Sequence, residues 1–166
     1  MLEDVIQAII ETLGAAGLGA VRAFRRDELR SCEGALVCVS VRNARGLPAG
    51  FGGYLGLGTD PETGLSSELY GARCRLELGL DIYAARGAEN GPAECLRCAE
   101  LIVPALKALP EGLKIASLEF GQALPDGETG RFVCHGVLEA TAHFIARAGK
   151  EDGEFTDFIL RGSVKR

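Results

Sequence analysis

The residues RCRLELGLDIY at positions 73–83 decide the fold class of this chain. Apolar side chains occupy every second position from Cys74 to Ile82, and charged or small residues fill the positions between them. This period of two is typical of a strand that buries one face and leaves the other mixed. The stretch therefore predicts a long strand near the middle of the sequence.

Two segments with helical spacing lie on either side of this strand. Residues 2–13 repeat apolar side chains every three or four positions, and two glycines follow as stop signals. A second helix is predicted to begin at Gly91-Pro92, because proline suits the first helical position, and Pro104 is predicted to kink it. The predicted inner stripe of this helix comprises Leu96, Ala99, Val103 and Leu106.

Four further stretches have the composition of strands. Residues 35–41 form a compact β-branched run, which predicts a largely buried strand, and residues 114–120 predict another. Residues 131–147 alternate over a length of roughly 50 Å if unbroken, so a bulge at Gly136 or a projecting ribbon is expected. Residues 155–164 are predicted to close the sheet.

A Gly-rich connection at residues 43–67 is predicted to be one long loop. Loops beyond about 15 residues are uncommon in compact domains and tend to bind a partner or stay disordered. This one carries Phe51, Tyr54 and Leu55, which a merely solvated linker does not need. The element order predicts one α+β domain over residues 1–166, with a mixed, mainly antiparallel sheet of about five strands and two helices packed on one face.

The composition of the chain argues against DNA binding, membrane insertion and export. The net charge of -5 argues against a dedicated DNA-binding surface, because such surfaces concentrate Lys and Arg. No segment approaches the roughly 20 apolar residues that a membrane-spanning helix needs, so a soluble protein without a membrane partner is expected. The acidic start of the chain does not resemble an export signal, and the six cysteines are therefore expected to be reduced thiols.

The residues that carry chemistry in other proteins do not converge on one site in this sequence. Cys95 and Cys98 form a CxxC pair, which suits thiol redox chemistry, but Cys95 is predicted to lie a full turn inside its helix beside Glu94. His135 and His143 stand about 26 Å apart on a straight strand and cannot share a metal ion. No catalytic, metal-binding or cofactor-binding residue is predicted, and the chain is not expected to be an enzyme.

Several short phrases resemble one group of bacteriophage proteins when they are taken together. The sequence is similar to prophage proteins of Gram-positive bacteria in the tail terminator group, also described as tail completion or minor capsid proteins. The similarity extends from the first helix to the last strand. Its phrases are Tyr54-Leu55-Gly56, Glu68-Leu69-Tyr70-Gly71, Leu80-Asp81-Ile82-Tyr83 and Thr156-Asp157-Phe158-Ile159-Leu160-Arg161-Gly162.

This resemblance implies a tail-terminator-like fold and a structural role in virion assembly. Such a subunit forms a ring with itself, commonly a hexamer, that caps the tail tube and joins it to head-completion proteins, with DNA only as passing cargo. It is found in the bacterial host cytoplasm during assembly and then in the virion tail. The residues expected at protein interfaces are Phe51, Tyr54, Leu55, Tyr70, Phe132 and Phe144. The alternative is a small cytosolic thiol-redox or ligand-binding protein that uses Cys95 and Cys98.

Overall fold

The computed structural model describes residues 2–23, 32–47, 50–59, 64, 66–110 and 112–146. The strand predicted at residues 155–164 lies outside the described residues. Contacts divide the chain into two compact units, of which the first comprises Met1–Arg45 with Arg75–Ala142 and the second Gly46–Cys74 with His143–Arg166. The prediction of one domain over residues 1–166 stays a prediction.

The described residues form two α-helices and eight strands, which confirms the α+β class. The helices are α1 (Leu2–Ala15) and α2 (Gly91–Ala105). The strands are β1 (Ala20–Arg22), β2 (Leu36–Leu47), β3 (Tyr54–Thr59), β4 (Ser66–Tyr83), β5 (Leu113–Phe120), β6 (Leu124–Asp126), β7 (Arg131–Cys134) and β8 (Gly136–Ala146). No helix in this part of the chain is long and apolar enough to cross a membrane.

The strands join in one mixed sheet around the long strand β4. The main order is β1-β2-β4-β7-β6, with β3 also beside β4, and β8 beside both β4 and β5. The short β1 runs parallel to β2, whereas the pairs β3–β4, β4–β7, β5–β8 and β6–β7 are antiparallel. The sheet therefore has eight strands among the described residues, where about five were predicted.

The predicted loop at residues 43–67 was wrong over much of its length. Strand β2 continues to Leu47, β3 forms at Tyr54–Thr59, and β4 begins at Ser66, seven residues before the alternating stretch that predicted it. Glycine is depleted in strands, so the many glycines of this region favoured a loop over a strand in the sequence pattern. Pairing with β4 supplies the hydrogen bonds that local composition does not indicate.

The long alternating stretch at residues 131–147 is interrupted at the predicted place. Strand β7 ends at Cys134 and β8 begins at Gly136. Both strands pair with β4, but β7 also pairs with β6, whereas β8 also pairs with β5. A Cβ atom at position 136 would lie 2.6 Å from the backbone oxygen of Leu80 and 2.7 Å from the ring of Phe120. Glycine is therefore the residue that lets the backbone of β8 approach β4 and β5 this closely.

The hydrophobic core of the first unit confirms the two strongest sequence patterns. Leu76, Leu78 and Leu80 of β4 are at most 1% exposed, as the alternation predicted. Residues 36–39 of β2 are buried, in agreement with the compact strand predicted there. Helix α1 contributes the buried residues Ile6, Ile9 and Leu13.

The inner face of α2 differs from the predicted stripe. Leu96 and Val103 are 62% and 53% exposed, so these two residues point away from the core. Their place is taken by Cys95 and Ile102, which are fully buried, whereas Ala99 and Leu106 are buried as expected. The prediction gave the cysteines too little weight as apolar side chains, although free cysteine is among the most buried residue types.

Candidate functional site

The most exposed apolar side chains in the described part of the second unit lie within seven residues of sequence. Phe51 is 95% exposed, Leu57 is 70% exposed and Tyr54 is 39% exposed. We call residues 51–57 the Phe51–Leu57 segment. Isolated apolar residues on a surface are ordinary, but a nearly fully exposed phenylalanine with two large apolar neighbours makes this segment a candidate contact surface.

The backbone of the Phe51–Leu57 segment is held in place by the neighbouring strand. A single 3₁₀ turn at Phe51–Gly53 leads directly into β3. Gly53 has a φ of 80°, and a Cβ atom on it would lie 3.1 Å from the backbone oxygen of Gly71 on β4. A residue with a side chain is disfavoured there for both reasons, so glycine allows the turn to lie against β4.

Two of the predicted interface residues form an aromatic pair across β3 and β4. Tyr54 and Tyr70 are directly opposite in the register of the two strands. Their ring centroids are 5.7 Å apart with an angle of 65° between the planes, an edge-to-face arrangement worth about 0.5–1.5 kcal/mol beyond the area buried. The Tyr70 hydroxyl donates a hydrogen bond of 2.6 Å to Glu68, which raises the pKa of Tyr70. The pair therefore places a second aromatic ring, that of Tyr70, beside Tyr54 of the Phe51–Leu57 segment.

The remaining predicted interface residues are partly buried and lie in different surroundings. Leu55 contacts β4 at Gly71, where an added Cβ atom would lie 3.0 Å from the leucine side chain. Phe144 also belongs to the second unit, and its backbone carbonyl lies against Gly71. Phe132 belongs to the first unit, where its ring packs against Gly91 at the start of α2. Five of the six residues therefore share the second unit, and Phe132 does not.

A cleft of about 420 Å³ in the first unit contains a pair of residues that the sequence did not indicate. The Oδ1 atom of Asp81 lies 2.8 Å from Nδ1 of His135 and accepts a hydrogen bond of 2.8 Å from Nη2 of Arg42. A carboxylate only accepts, so the His135 tautomer with its proton on Nδ1 suits this contact. The cleft is also lined by Cys38, Tyr83, Leu124 and Thr129.

Strand register explains how Asp81 and His135 meet. Strands β4 and β7 are antiparallel, and Ile82 pairs with Cys134. Asp81 precedes Ile82 and His135 follows Cys134, so their side chains meet at the end of this pairing, although 54 residues separate them in the sequence. Arg42 reaches Asp81 across Gly79, where a Cβ atom would lie 2.7 Å from Nε of the arginine. Only the pairing of distant strands could have revealed this group.

The Asp81 group has no activated thiol beside it. Burial, followed by the negative charge of Asp81, raises the pKa of Cys38 to about 12. The thiol of Cys38 therefore stays protonated at neutral pH. Asp81 is ion-paired with Arg42, which links β4 to β2, and its contact with His135 links β4 to the residue that follows β7.

The CxxC pair on α2 has surroundings that disfavour a thiolate. Cys95 is fully buried, and its thiol contacts the backbone oxygens of Ile82 and Phe132 at 3.7 and 3.8 Å. Burial, followed by the nearby thiols Cys134 and Cys98, raises the pKa of Cys95 to about 11. Burial also raises the pKa of Cys98. A redox-active CxxC needs the opposite shift.

No protein-family model matches this sequence, and no curated protein matches it. Within the described residues, no group of three or more His, Cys, Asp or Glu side chains is arranged to hold a metal ion.

Proposed function

We propose that this chain is a structural subunit of a phage or prophage tail, a tail terminator or head–tail joining protein that forms a ring with copies of itself. The observation that carries the proposal is the exposure of the Phe51–Leu57 segment, above all the 95% exposure of Phe51. The resemblance of the sequence to tail terminator proteins gives this surface its role. In that role the ring caps the tail tube and contacts head-completion proteins.

The energetic case for self-association rests on apolar burial. Fully burying a phenylalanine or a leucine contributes about 1.5–3 kcal/mol each. Phe51 and Leu57 are the two most exposed large apolar side chains of the described second unit, so they gain most from a contact. A stable interface needs roughly 800 Å² from each partner, so other residues of the chain must contribute as well.

The electrostatic properties of the chain are compatible with a ring through which DNA passes. The net charge is -5, so the chain as a whole repels nucleic acid and does not hold it, which suits DNA that only passes through. In this proposal the subunit assembles in the host cytoplasm and remains in the virion tail. The thiol-redox alternative is less well supported, because the raised pKa of Cys95 keeps its thiol protonated.

The size of the assembly tests the proposal. We expect light scattering and negative-stain electron microscopy of the purified protein to show closed rings of uniform diameter. The double change Phe51→Ser and Leu57→Ser is expected to weaken association at least roughly 100-fold, because two buried apolar side chains are lost. Leu96→Ser is the matched control, since Leu96 is 62% exposed on α2 in the other unit.

Two results would contradict the proposal. The first is a wild-type protein that stays monomeric at the highest accessible concentration. The second is a double variant that forms the same rings as the wild type. Separately, the tail assignment predicts that tail-tube and head-completion genes lie beside this one, and their absence would contradict that assignment.

A further inference from the structure

Four strands of the sheet each pair with a single neighbour, so each has one edge with no other described strand beside it. β1 pairs with β2, β3 with β4, β5 with β8, and β6 with β7. β1 and β6 are three residues long, whereas β3 has six residues and β5 has eight. An unpaired edge presents backbone donors and acceptors to which another strand can bind. The two long edges are the ones that can support a substantial ladder.

The short edges carry residues that discourage pairing, and the long ones do so less. β6 contains Pro125 and Asp126, and β1 ends at Arg22, which is paired with Glu3. Proline and charge are the usual protection of a free edge. By contrast, Tyr54–Thr59 contains neither a charge nor a proline. The centre of β5, at residues 115–118, is uncharged as well.

We infer that the edge of β3 in one copy pairs with the edge of β5 in the next copy, so that the sheet continues from subunit to subunit. The inference rests on the proposed function and names the contact that builds the ring. Leu57 on β3 is 70% exposed and Ile115 on β5 is 39% exposed, so pairing buries an apolar side chain from each strand. Each backbone hydrogen bond formed adds a net contribution of about 0.5–1.5 kcal/mol.

The symmetry of a ring selects β5 over a second β3 as the partner. Pairing of β3 with β3 uses the same surface on both copies and closes at two subunits. A ring with more members needs two different surfaces that meet head to tail. Strand β5 is the other described edge long enough to cover all six residues of β3. The uncharged centres of the two strands also meet without repulsion.

Cross-linking between two cysteine variants tests this contact. Leu57→Cys and Ile115→Cys are produced separately, one with a size tag, then mixed at assembling concentration and oxidised mildly. In an antiparallel pairing that sets Leu57 opposite Ile115, the two Cα atoms are roughly 4.5–5.5 Å apart, within reach of a disulfide. We expect dimers that contain one copy of each variant. Leu57→Cys mixed with Leu124→Cys is the control, because Leu124 is 53% exposed on the β6 edge.

The outcomes separate this inference from the proposed function. Rings without the mixed dimer, or dimers of Leu57→Cys with itself above the control level, would overturn the β3–β5 contact and leave the ring intact. A monomeric wild-type protein would overturn both. As a second measurement, Leu57→Lys and Ile115→Lys should each abolish rings while circular dichroism stays native. Rings that persist in both lysine variants would also overturn the contact.

Discussion

The thiol of Cys95 illustrates how burial sets the chemistry of a single residue. Its sulfur is fully enclosed between α2, β4 and β7, and it contacts the backbone oxygens of Ile82 and Phe132. The raised pKa of about 11 means that the folded protein resists forming the thiolate. The same motif sequence that serves redox chemistry elsewhere is used here to fill a core, because cysteine is small and apolar.

The pKa of Cys95 predicts how stability depends on pH. The unfolded chain loses this proton near pH 9, and the folded chain holds it until about pH 11. In that window the unfolded state binds fewer protons, so the free energy of unfolding falls as the pH rises. Denaturant titrations should therefore show stability that is constant below about pH 8 and then declines. Cys95→Ala should decline less steeply than the wild type.

A variant on the same helix isolates the effect of the thiol. Leu96→Ala changes an exposed residue that has no proton to lose, and it should keep the wild-type pH dependence. Rapid alkylation of Cys95 at neutral pH in the folded protein would contradict the interpretation. That result would instead favour the thiol-redox alternative, because the thiolate is the nucleophile.

At the scale of elements, the orientation of α2 is set by which residues the helix buries. Cys95, Cys98, Ala99 and Ile102 follow a spacing of three, four and seven residues, which is one face of a helix. Asn90 caps the helix, since its side-chain oxygen accepts a hydrogen bond of 3.2 Å from the amide of Ala93. Glu94 fixes the first turn by accepting a 2.7 Å hydrogen bond from the amide of Ala85.

Adjacent residues on α2 give a direct test of this orientation. Ile102 is fully buried and Val103 is 53% exposed. Ile102→Ala should lower the free energy of unfolding by about 2–5 kcal/mol, because it leaves a cavity in the core. Val103→Ala should change it by less than about 0.5 kcal/mol, as is usual for surface substitutions. Urea unfolding measures both, and similar losses for the two variants would contradict the orientation.

Elements whose signal is local could be predicted from the sequence, and elements defined by distant pairing could not. The alternation in β4 and the apolar spacing of α1 depend on residues a few positions apart, so both were predicted correctly. Strand β3 was missed, because its pattern is interrupted by Gly56 and Gly58 and its place depends on β4. The Asp81–His135 contact required the register of β4 and β7, which no local pattern contains.

At the scale of the whole molecule, choosing candidate interface residues requires two kinds of information: the type of each residue and its exposure in the folded chain. Phe51, Tyr54 and Leu55 were selected as apolar residues in a Gly-rich stretch, and Phe51 and Tyr54 are exposed. Leu57 was not selected, although it is more exposed than Tyr54. Phe132 was selected from its place in an alternating stretch, but its ring packs against the start of α2. Exposure of a side chain depends on the folded neighbours, which sequence spacing alone does not specify.

Self-association predicts that the stability of the molecule depends on its concentration. A partner that binds only the folded state adds about 2.7 kcal/mol at 100 times its Kd. For a chain of this size that gain raises the Tm by roughly 5–10 °C. Thermal unfolding followed over a roughly hundredfold range of protein concentration should therefore show a rising Tm for the wild type.

In Leu57→Lys the Tm should be independent of concentration and equal to that of the dilute wild type, because the added charge disfavours pairing at the β3 edge. Leu124→Lys places the same charge on another exposed leucine and should retain the wild-type rise. A wild-type Tm that does not change with concentration would mean that the exposed Phe51–Leu57 segment does not bind a second copy.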